Sequence, residues 1–285
     1  LVTGCPIKVL HVITELGLGG AESMLTRMLT KAPVPSVVPE VVSLVPGGAN
    51  RDRLVEAGVA VSDLGLDRGR PRLGALLALA RRMRAGEAAI VQGWMYHANL
   101  AASAAVALSG TGRRTNVYWG IRCSDMDLAD YGLMLRIMVR LGAWGSGWPD
   151  AIVANSAAGL GVHRALGYAP RRFLLIDNGV DTDRFQPDAA DDADVRSELG
   201  LSVDDFVIAV AARHDPMKDY PTLLAALEQI SAARAIIMEA GTAVALPESP
   251  QLRVLGRHDN VLRVLGAADV PVSSPAYGVG FSNAI

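Results

Sequence analysis

Four loops of this sequence carry residue types and spacings that could belong to a ligand site, and two of them could bind an anion such as a phosphate. The first loop, Gly17–Glu22, separates a β-branched run from a helical pattern with an apolar stripe. Glycines let backbone N–H groups approach an anion, and a helix N-terminus adds partial positive charge. A dinucleotide-binding fingerprint would need glycine where the chain has Glu22. The pattern therefore argues against nicotinamide binding and leaves either an anion site or a tight turn.

A basic pair follows a later β-branched run. Arg213 and Lys218 lie on either side of Pro216 in one short loop. The planar fork of arginine and the point charge of lysine are suited to a single diphosphate group. The alternative interpretation is a basic loop that is merely solvated.

Two further loops are rich in turn residues. Asn178–Asp181 begins with Asn-Gly, and both of these residue types tolerate positive φ. Tyr277–Asn283 has two glycines before an apolar residue, which suits a loop that leads into a helix N-terminus. Taken singly, each segment is equally consistent with a plain connection.

All four loops follow predicted strands. Short β-branched runs alternate along the chain with helical stretches rich in Ala, Leu and Arg, which predicts an α/β fold with a parallel sheet covered on both faces. One series of strands is predicted between Ile7 and Ile176, and a second between Phe206 and Ser273. Ligands of open parallel sheets bind beyond the carboxyl ends of the strands, so we expect the site at these loops.

The two series of strands are separated by an Asp-rich segment, Asp181–Asp205, in which the strand pattern is lost. We therefore predict two Rossmann-like α/β domains, residues 1–180 and 181–285. The second domain has fewer predicted strands than the first and is expected to be incomplete.

Composition excludes several classes of protein. The formal net charge of −2 provides no global field for a polyanion, which argues against a dedicated nucleic-acid binder. The two cysteines, Cys5 and Cys123, are too few for a disulfide framework and lack metal-ligand spacing, so we expect a cytoplasmic protein without zinc. The apolar stretches are too short to span a bilayer.

The ordered set of loops resembles the family 4 glycosyltransferases, whose GT-B architecture has two Rossmann-like domains facing a cleft. The resemblance extends over nearly the whole chain. It rests on the turn Gly19–Glu22, the helix start Asn155–Ser156 with His163 downstream, Asn178–Asp181, the pair Arg213 and Lys218, Ala267–Val270 and Gly280–Asn283. The segments Trp94–Asn99 and Trp119–Arg122 resemble members that build bacterial cell-surface polysaccharides.

The resemblance implies a reaction. A UDP- or GDP-type sugar would bind mainly to the second domain, and its sugar would pass, with retained configuration, to a carbohydrate or lipid-linked acceptor hydroxyl on the first. Arg213 and Lys218 would neutralise the departing diphosphate, so neither a metal nor a cofactor is required. His97 is the candidate catalytic residue on the acceptor side. The implied donor-binding residues are Gly19, Gly20, Asn178, Gly179, Gly280, Phe281, Ser282 and Asn283.

Two departures from the family pattern weigh against activity. The donor loop of the family normally reads Glu-Gly-Phe, but this chain has Val279 at the first position, and valine cannot accept a hydrogen bond. Family members also continue beyond the position of Ile285, so a C-terminally truncated chain is expected. A catalytically silent nucleotide-sugar-binding remnant is therefore an alternative function, and a sugar-nucleotide epimerase is a more distant one.

Two basic amphipathic stretches could lie on a membrane surface. Arg81, Arg82 and Arg84 flank one apolar helix, and a second basic stretch ends in Trp144 and Trp148. Helices of this kind bind anionic lipid, which would suit a lipid-linked acceptor and peripheral contact with the inner face of the membrane. The alternative is an ordinary helix that covers the sheet and keeps its arginines in water.

Overall fold

The computed structural model describes residues 6–67, 72–124, 128–183, 189–212, 216–230, 233–238, 249–256 and 261–278. The chain divides into two compact units, Leu1–Gly179 and Val180–Gly278. Both units are α/β, and every strand pair is parallel in the part of the chain that is described. The predicted parallel α/β class is confirmed.

The first unit is built on a seven-stranded sheet with the order β3-β2-β1-β4-β5-β6-β7. Its strands are β1 (Ile7–Ile13), β2 (Val37–Ser43), β3 (Ala60–Asp63), β4 (Ile90–Trp94), β5 (Asn116–Ile121), β6 (Ala151–Ala154) and β7 (Phe173–Leu175). The order reverses between β1 and β4, and such a reversal opens a crevice at the carboxyl ends of the two strands.

Helices cover both faces of this sheet. They are α1 (Gly20–Lys31), α2 (Ala49–Glu56), α3 (Leu73–Gly86), α4 (Met95–Ser109), α5 (Leu133–Gly145) and α6 (Ala157–Ala165), with a short 3₁₀ turn at Leu128–Asp130. On one face α3, α4 and α5 bury Leu79, Ala102 and Val139 against the sheet. On the other face α1 and α2 bury Leu25 and Leu54. Burial on both faces explains why the strands read as continuous apolar runs.

The second unit has a four-stranded sheet with the order β10-β9-β8-β11. Its elements are α7 (Ala189–Glu198), β8 (Phe206–Ala211), a 3₁₀ turn at Pro216–Lys218, α8 (Tyr220–Glu228), β9 (Ala233–Met238), β10 (Leu252–Gly256), α9 (Val261–Gly266) and β11 (Val270–Pro271). Ile208, Val210 and Ile237 pack against α8, and Val207 and Ala209 pack against α9.

An ion pair closes the amino-terminal edge of the second sheet. Arg196 of α7 donates from Nε to the carbonyl of Ala267 at 2.9 Å and from Nη2 to Asp269 Oδ2 at 3.0 Å. The same carboxylate oxygen accepts the backbone N–H of Val207 at 2.7 Å, and this bond together with Arg196 lowers the pKa of Asp269. Asp269, part of a motif that resembles the family's donor region, thus secures the sheet at the end opposite the ligand-binding edge.

Among the described residues, no helix combines the length and the apolar character needed to cross a bilayer.

Candidate functional site

The loop after β1 is held rigidly at the crevice beside β4. Asn50, at the start of α2, donates its backbone N–H to the carbonyl of Leu16 at 2.9 Å and its side-chain amide to the carbonyl of Gly17. Gly48 precedes α2 with φ of +105°, and a Cβ at this position would lie 2.2 Å from the oxygen of Leu16. Only glycine allows this approach, so α2 fixes the glycine-rich loop.

An acidic side chain already lies at the N-terminus of α1. A Cβ built on Gly19 would lie 2.1 Å from the carboxylate of Glu22, which is in the first turn of the helix. A carboxylate there is favourable because it faces the positive end of the helix dipole. A phosphate approaching Gly19 or the exposed Gly20 would therefore meet a negative charge, and Glu22 would have to move aside.

The turn from β4 into α4 contains no connecting residue. Met95 begins the helix directly after Trp94 and has φ of +68°. A non-glycine residue in this left-handed region costs about 1–3 kcal/mol, and such strain persists where surrounding contacts enforce it. The turn places His97 in the first turn of α4, at the carboxyl edge of the sheet.

Asn99 enforces this turn. Its side-chain amide donates to the carbonyl of Gly120 at 3.2 Å, and its Oδ1 accepts the N–H of Gly120 at 3.2 Å. Gly93 allows the close packing, because a Cβ there would lie 2.6 Å from the Cα of Asn99. The first turn of α4 is thus fixed to both β4 and β5.

The predicted catalytic residue His97 is half-buried, and this burial lowers the pKa of its imidazole. The ring is therefore neutral at neutral pH and is able to accept a proton or a hydrogen bond.

A second histidine begins a chain of contacts along the same edge. Burial lowers the pKa of His11, in β1, to about 4, so the neutral ring accepts a hydrogen bond at Nδ1 from Trp94 Nε1 at 3.2 Å. The guanidinium carbon of Arg122 lies 4.4 Å from the centroid of the Trp94 ring, which is a cation–π contact. Arg122 also donates from Nη1 to Oδ1 of Asn178.

Arg122 is a cation with an unsatisfied donor. Its Nε is buried and has no hydrogen-bond partner in the part of the chain that the structure describes. Burial lowers its pKa to about 10, so the group stays charged at neutral pH. Buried donors are rarely left unpaired, and a ligand anion would satisfy this one. The sequence prediction did not include Arg122 among the site residues, although the segment Trp119–Arg122 pointed to it.

The predicted donor residues Asn178 and Gly179 follow β7 and are tied to the first unit. Asn178 is buried and accepts from Arg122, and the carbonyl of Gly179 accepts from Arg27 Nη1 at 3.1 Å. The Asn-Gly turn therefore supports the Arg122 side chain.

The predicted residue Lys218 lies in the second unit, in the loop after β8. The carbonyl of Lys218 accepts from the hydroxyl of Ser274 at 2.9 Å, and the carbonyl of Met217 accepts from the N–H of Ala276 at 3.0 Å. The loops after the neighbouring strands β8 and β11 are thus joined, which brings Lys218 close to the segment that leads to the predicted donor loop. Arg213, Val279, Gly280, Phe281, Ser282 and Asn283 lie outside the described residues.

Both ring nitrogens of His163 form hydrogen bonds within the fold, so this residue has a structural role. Its Nδ1 donates to the carbonyl of Gly159 at 2.7 Å, and its Nε2 accepts from the hydroxyl of Tyr96 at 2.7 Å. Cys123 Sγ lies 3.0 Å from the same hydroxyl, and burial raises the pKa of this thiol to about 11. The cluster joins α4, α6 and the end of β5, and its thiol is unreactive.

A sequence profile named Glycosyltransferase Family 4 matches residues 18–184, which is more than half of the chain. The chain belongs to glycosyltransferase family 4. The resemblance seen in the ordered loops is confirmed, and the matched range includes the β1 loop, the β4–α4 turn, Arg122 and the Asn178–Gly179 turn.

Two curated relatives are D-inositol 3-phosphate glycosyltransferases. The one from Segniliparus rotundus is 31% identical over 153 residues, which cover 46% of this chain and 33% of the relative. The one from Mycobacteroides abscessus is 29% identical over 127 residues, covering 39% of this chain and 28% of the relative. The chain thus spans about a third or less of the length of the curated relatives it matches.

Solved structures show the fold of this family 4 chain. The structure of HepE from Anabaena in complex with UDP-glucose superposes on this chain with a TM-score of 0.77 at 17% identity. The superposed region covers 94% of this chain and 74% of the HepE chain. Sucrose-phosphate synthase from Thermosynechococcus elongatus superposes with a TM-score of 0.71 at 13% identity. The superposed region covers 97% of this chain and 77% of the synthase chain. The fold class is GT-B, with two Rossmann-like α/β units, as predicted.

Proposed function

We propose that this family 4 chain transfers a sugar from a UDP- or GDP-type sugar to an acceptor hydroxyl in bacterial cell-surface polysaccharide or glycolipid synthesis. The observation that carries the proposal is the family match over residues 18–184. The HepE structures, which contain UDP, UDP-glucose, or UDP with glucose, support a nucleotide sugar as donor. The joined loops after β8 and β11, which hold Lys218, are the part of the second unit where we place the nucleotide diphosphate.

In the proposed reaction the bond between the sugar C1 and the diphosphate oxygen breaks, and a bond from the acceptor oxygen to C1 forms on the same face. The nucleoside diphosphate leaves with the electron pair, and its phosphate takes the proton of the acceptor hydroxyl. Lys218 and Arg213 stabilise the charge that grows on this leaving group, so the reaction needs no metal. The neutral imidazole of His97 positions the acceptor by accepting a hydrogen bond from a neighbouring hydroxyl, which leaves the proton of the reacting hydroxyl for the phosphate.

The acceptor in this proposal carries a phosphate. Arg122 presents a charged guanidinium with an unpaired Nε at the carboxyl end of β5. The names of the two curated relatives refer to D-inositol 3-phosphate, which is itself a phosphorylated compound. A phosphate on the acceptor would give the buried donor its missing partner.

Peripheral membrane contact is the second part of the proposal, and α5 is the better of the two candidate helices. Arg82 of α3 forms an ion pair with Glu40, and Arg84 donates to the carbonyl of Ser109, so both are engaged within the fold. By contrast, α5 and the turn after it expose apolar residues at helical spacing, namely Leu133, Ile137, Leu141, Trp144 and Trp148. The Trp144 side chain is 90% exposed. Exposed tryptophan and leucine beside the exposed Arg140 are typical of an interfacial helix.

Calorimetric titration with UDP and with GDP, paired with an assay for donor hydrolysis, tests the proposed function. We expect one nucleotide to bind and its sugar donor to be turned over. Binding without turnover would favour the silent remnant, for which Val279 is the specific observation. Absence of binding by both nucleotides would contradict both functions.

A further inference from the structure

The first unit contains a partly open cavity of about 720 Å³ that no step of the proposed reaction uses. Its walls come mainly from leucine, alanine and methionine side chains. They include Leu44, Leu64, Leu76, Leu79, Leu100 and Met138. The volume is within the range of small-molecule sites, which is about 300–1,000 Å³.

The cavity lies at the same edge of the sheet as the candidate site. Thr14 and Glu15 directly follow β1, Val45 follows β2, and all three line it. His97, the candidate catalytic residue, lines it as well. A ligand that reaches His97 therefore has an apolar space beside it.

The chemistry of the walls excludes a bare sugar as the occupant. Sugar hydroxyls lose their hydrogen bonds to water when they enter an apolar site, and each unpaired group costs about 1–3 kcal/mol. Asp67 and Arg72 already form an ion pair at 3.0 Å, and the other polar side chains that the structure describes on the walls are Thr14, Glu15 and His97. A hydrocarbon chain, by contrast, gains free energy from each methylene that leaves water.

The α5 helix connects this cavity to the exposed apolar face. Met134 and Met138 line the cavity, and Met134 is also exposed, as are Leu133 and Ile137 on the same helix. Arg122 is not among the described residues that line the cavity, but it lies at the same edge of the sheet and offers an unpaired donor to a lipid phosphate.

We propose that the cavity binds the hydrocarbon tail of a phosphate-bearing lipid acceptor. The proposal rests on the proposed transferase function and names the class of its acceptor. The tail fills the space between α3, α4 and α5, and the head group extends toward His97. Ala101 and Ala104 of α4 leave room for the tail, since larger residues at these wall positions would occupy the cavity themselves.

The test is binding of a series of alkyl phosphates, from butyl to dodecyl, to the full chain at concentrations below micelle formation. Affinity should rise by about threefold to fourfold for each added methylene until the cavity is full. Affinity that does not change with chain length would overturn the proposal.

A matched pair of variants locates the binding. Ala104→Phe fills the cavity and should lower the affinity for dodecyl phosphate by about tenfold or more, while Ala107→Phe, on the exposed side of α4, should leave it unchanged. Equal affinities in the two variants would overturn the placement of the tail. Thermal unfolding by tryptophan fluorescence verifies that both variants fold.

Titration of the same preparations with UDP and with GDP tests the proposed function separately. Chain-length-dependent binding of alkyl phosphates without binding of either nucleotide would contradict the transferase function but not the lipid site. Binding of a nucleotide without chain-length dependence would contradict the lipid cavity alone.

Discussion

The Arg122 side chain is oriented by a cation–π contact with Trp94 and a hydrogen bond to Asn178. Its Nε remains unpaired. Its position follows from the neighbouring strands β4 and β5, which bring Trp94 and Arg122 together although they are far apart in sequence. The guanidinium is therefore preorganised for an anion, and lysine would not reproduce this geometry.

Arg122→Gln should weaken binding of octyl phosphate, a probe for the proposed phosphate-bearing acceptor, by about tenfold or more, because a charge-assisted hydrogen bond is lost. Binding of uncharged octanol should not change. Calorimetric titration measures both affinities, and Arg140→Gln, on the exposed side of α5, is the control. Equal affinity of the phosphorylated ligand for wild type and Arg122→Gln would contradict the role of Arg122.

His11 makes the stability of the first unit depend on pH. Its pKa is about 4 in the folded state because of burial, whereas the unfolded value is near 6.5. Between these values the unfolded chain binds a proton that the folded chain does not, so stability is complete above about pH 6.5 and falls as the pH decreases toward 4. The expected loss between about pH 7 and pH 5 is about 2 kcal/mol from His11 alone.

Urea unfolding followed by tryptophan fluorescence measures this effect, because all four tryptophans lie in the first unit. His11→Gln keeps an acceptor for Trp94 and should reduce the pH dependence by about 2 kcal/mol. An unchanged pH dependence would contradict the lowered pKa of His11 in the folded state.

At the level of elements, the β4–α4 turn depends on one side chain. Asn99→Ala would remove both hydrogen bonds to the backbone of Gly120, which should destabilise the first unit by about 2–4 kcal/mol. Urea unfolding of this variant is compared with that of Asn116→Ala, a control at an exposed position in β5. A loss below about 1 kcal/mol would mean that the strained turn is held by other contacts.

The exposed face of α5 should bind anionic vesicles. Wild type is expected to sediment with vesicles that contain phosphatidylglycerol, and Leu141→Ser with Trp144→Ser should reduce the bound fraction by about tenfold. Leu108→Ser, at an exposed apolar position on α4, is the matched control. Sedimentation of the double variant equal to that of wild type would contradict this membrane surface.

The sequence predicted most elements but not all of them. The apolar run Ala98–Leu108 predicts a helix, yet α4 begins earlier, at Met95, because the positive φ there is enforced by contacts of Asn99 with another strand. The helix α2 is short and rich in charge, and α7 lies in the Asp-rich segment, so neither has a strong apolar stripe. Arg196 stabilises α7 through long-range contacts that a local pattern does not reveal.

At the level of the whole molecule, the parallel α/β class was predictable because strand and helix periodicities are local. The positions of the loops after β1, β7 and β8 were also predictable, since glycine, asparagine and basic residues mark them directly, and anion binding by these loops stays a prediction. Arg122 and the apolar cavity were not predicted as parts of a site. Both depend on which strands become neighbours and on how α3, α4 and α5 pack, and these are properties of the assembled unit.

The central claim is that cationic residues in the loop after β8 stabilise a departing nucleoside diphosphate. The most direct test is the rate at which wild type and Lys218→Ala release UDP from UDP-glucose, or GDP from GDP-mannose, with Lys31→Ala as an exposed control. The variant should lose about 2–4 kcal/mol of transition-state stabilisation, which would be measured as a lower kcat. The affinity of each protein for the nucleotide is measured in parallel. A wild-type kcat in Lys218→Ala would contradict the claim.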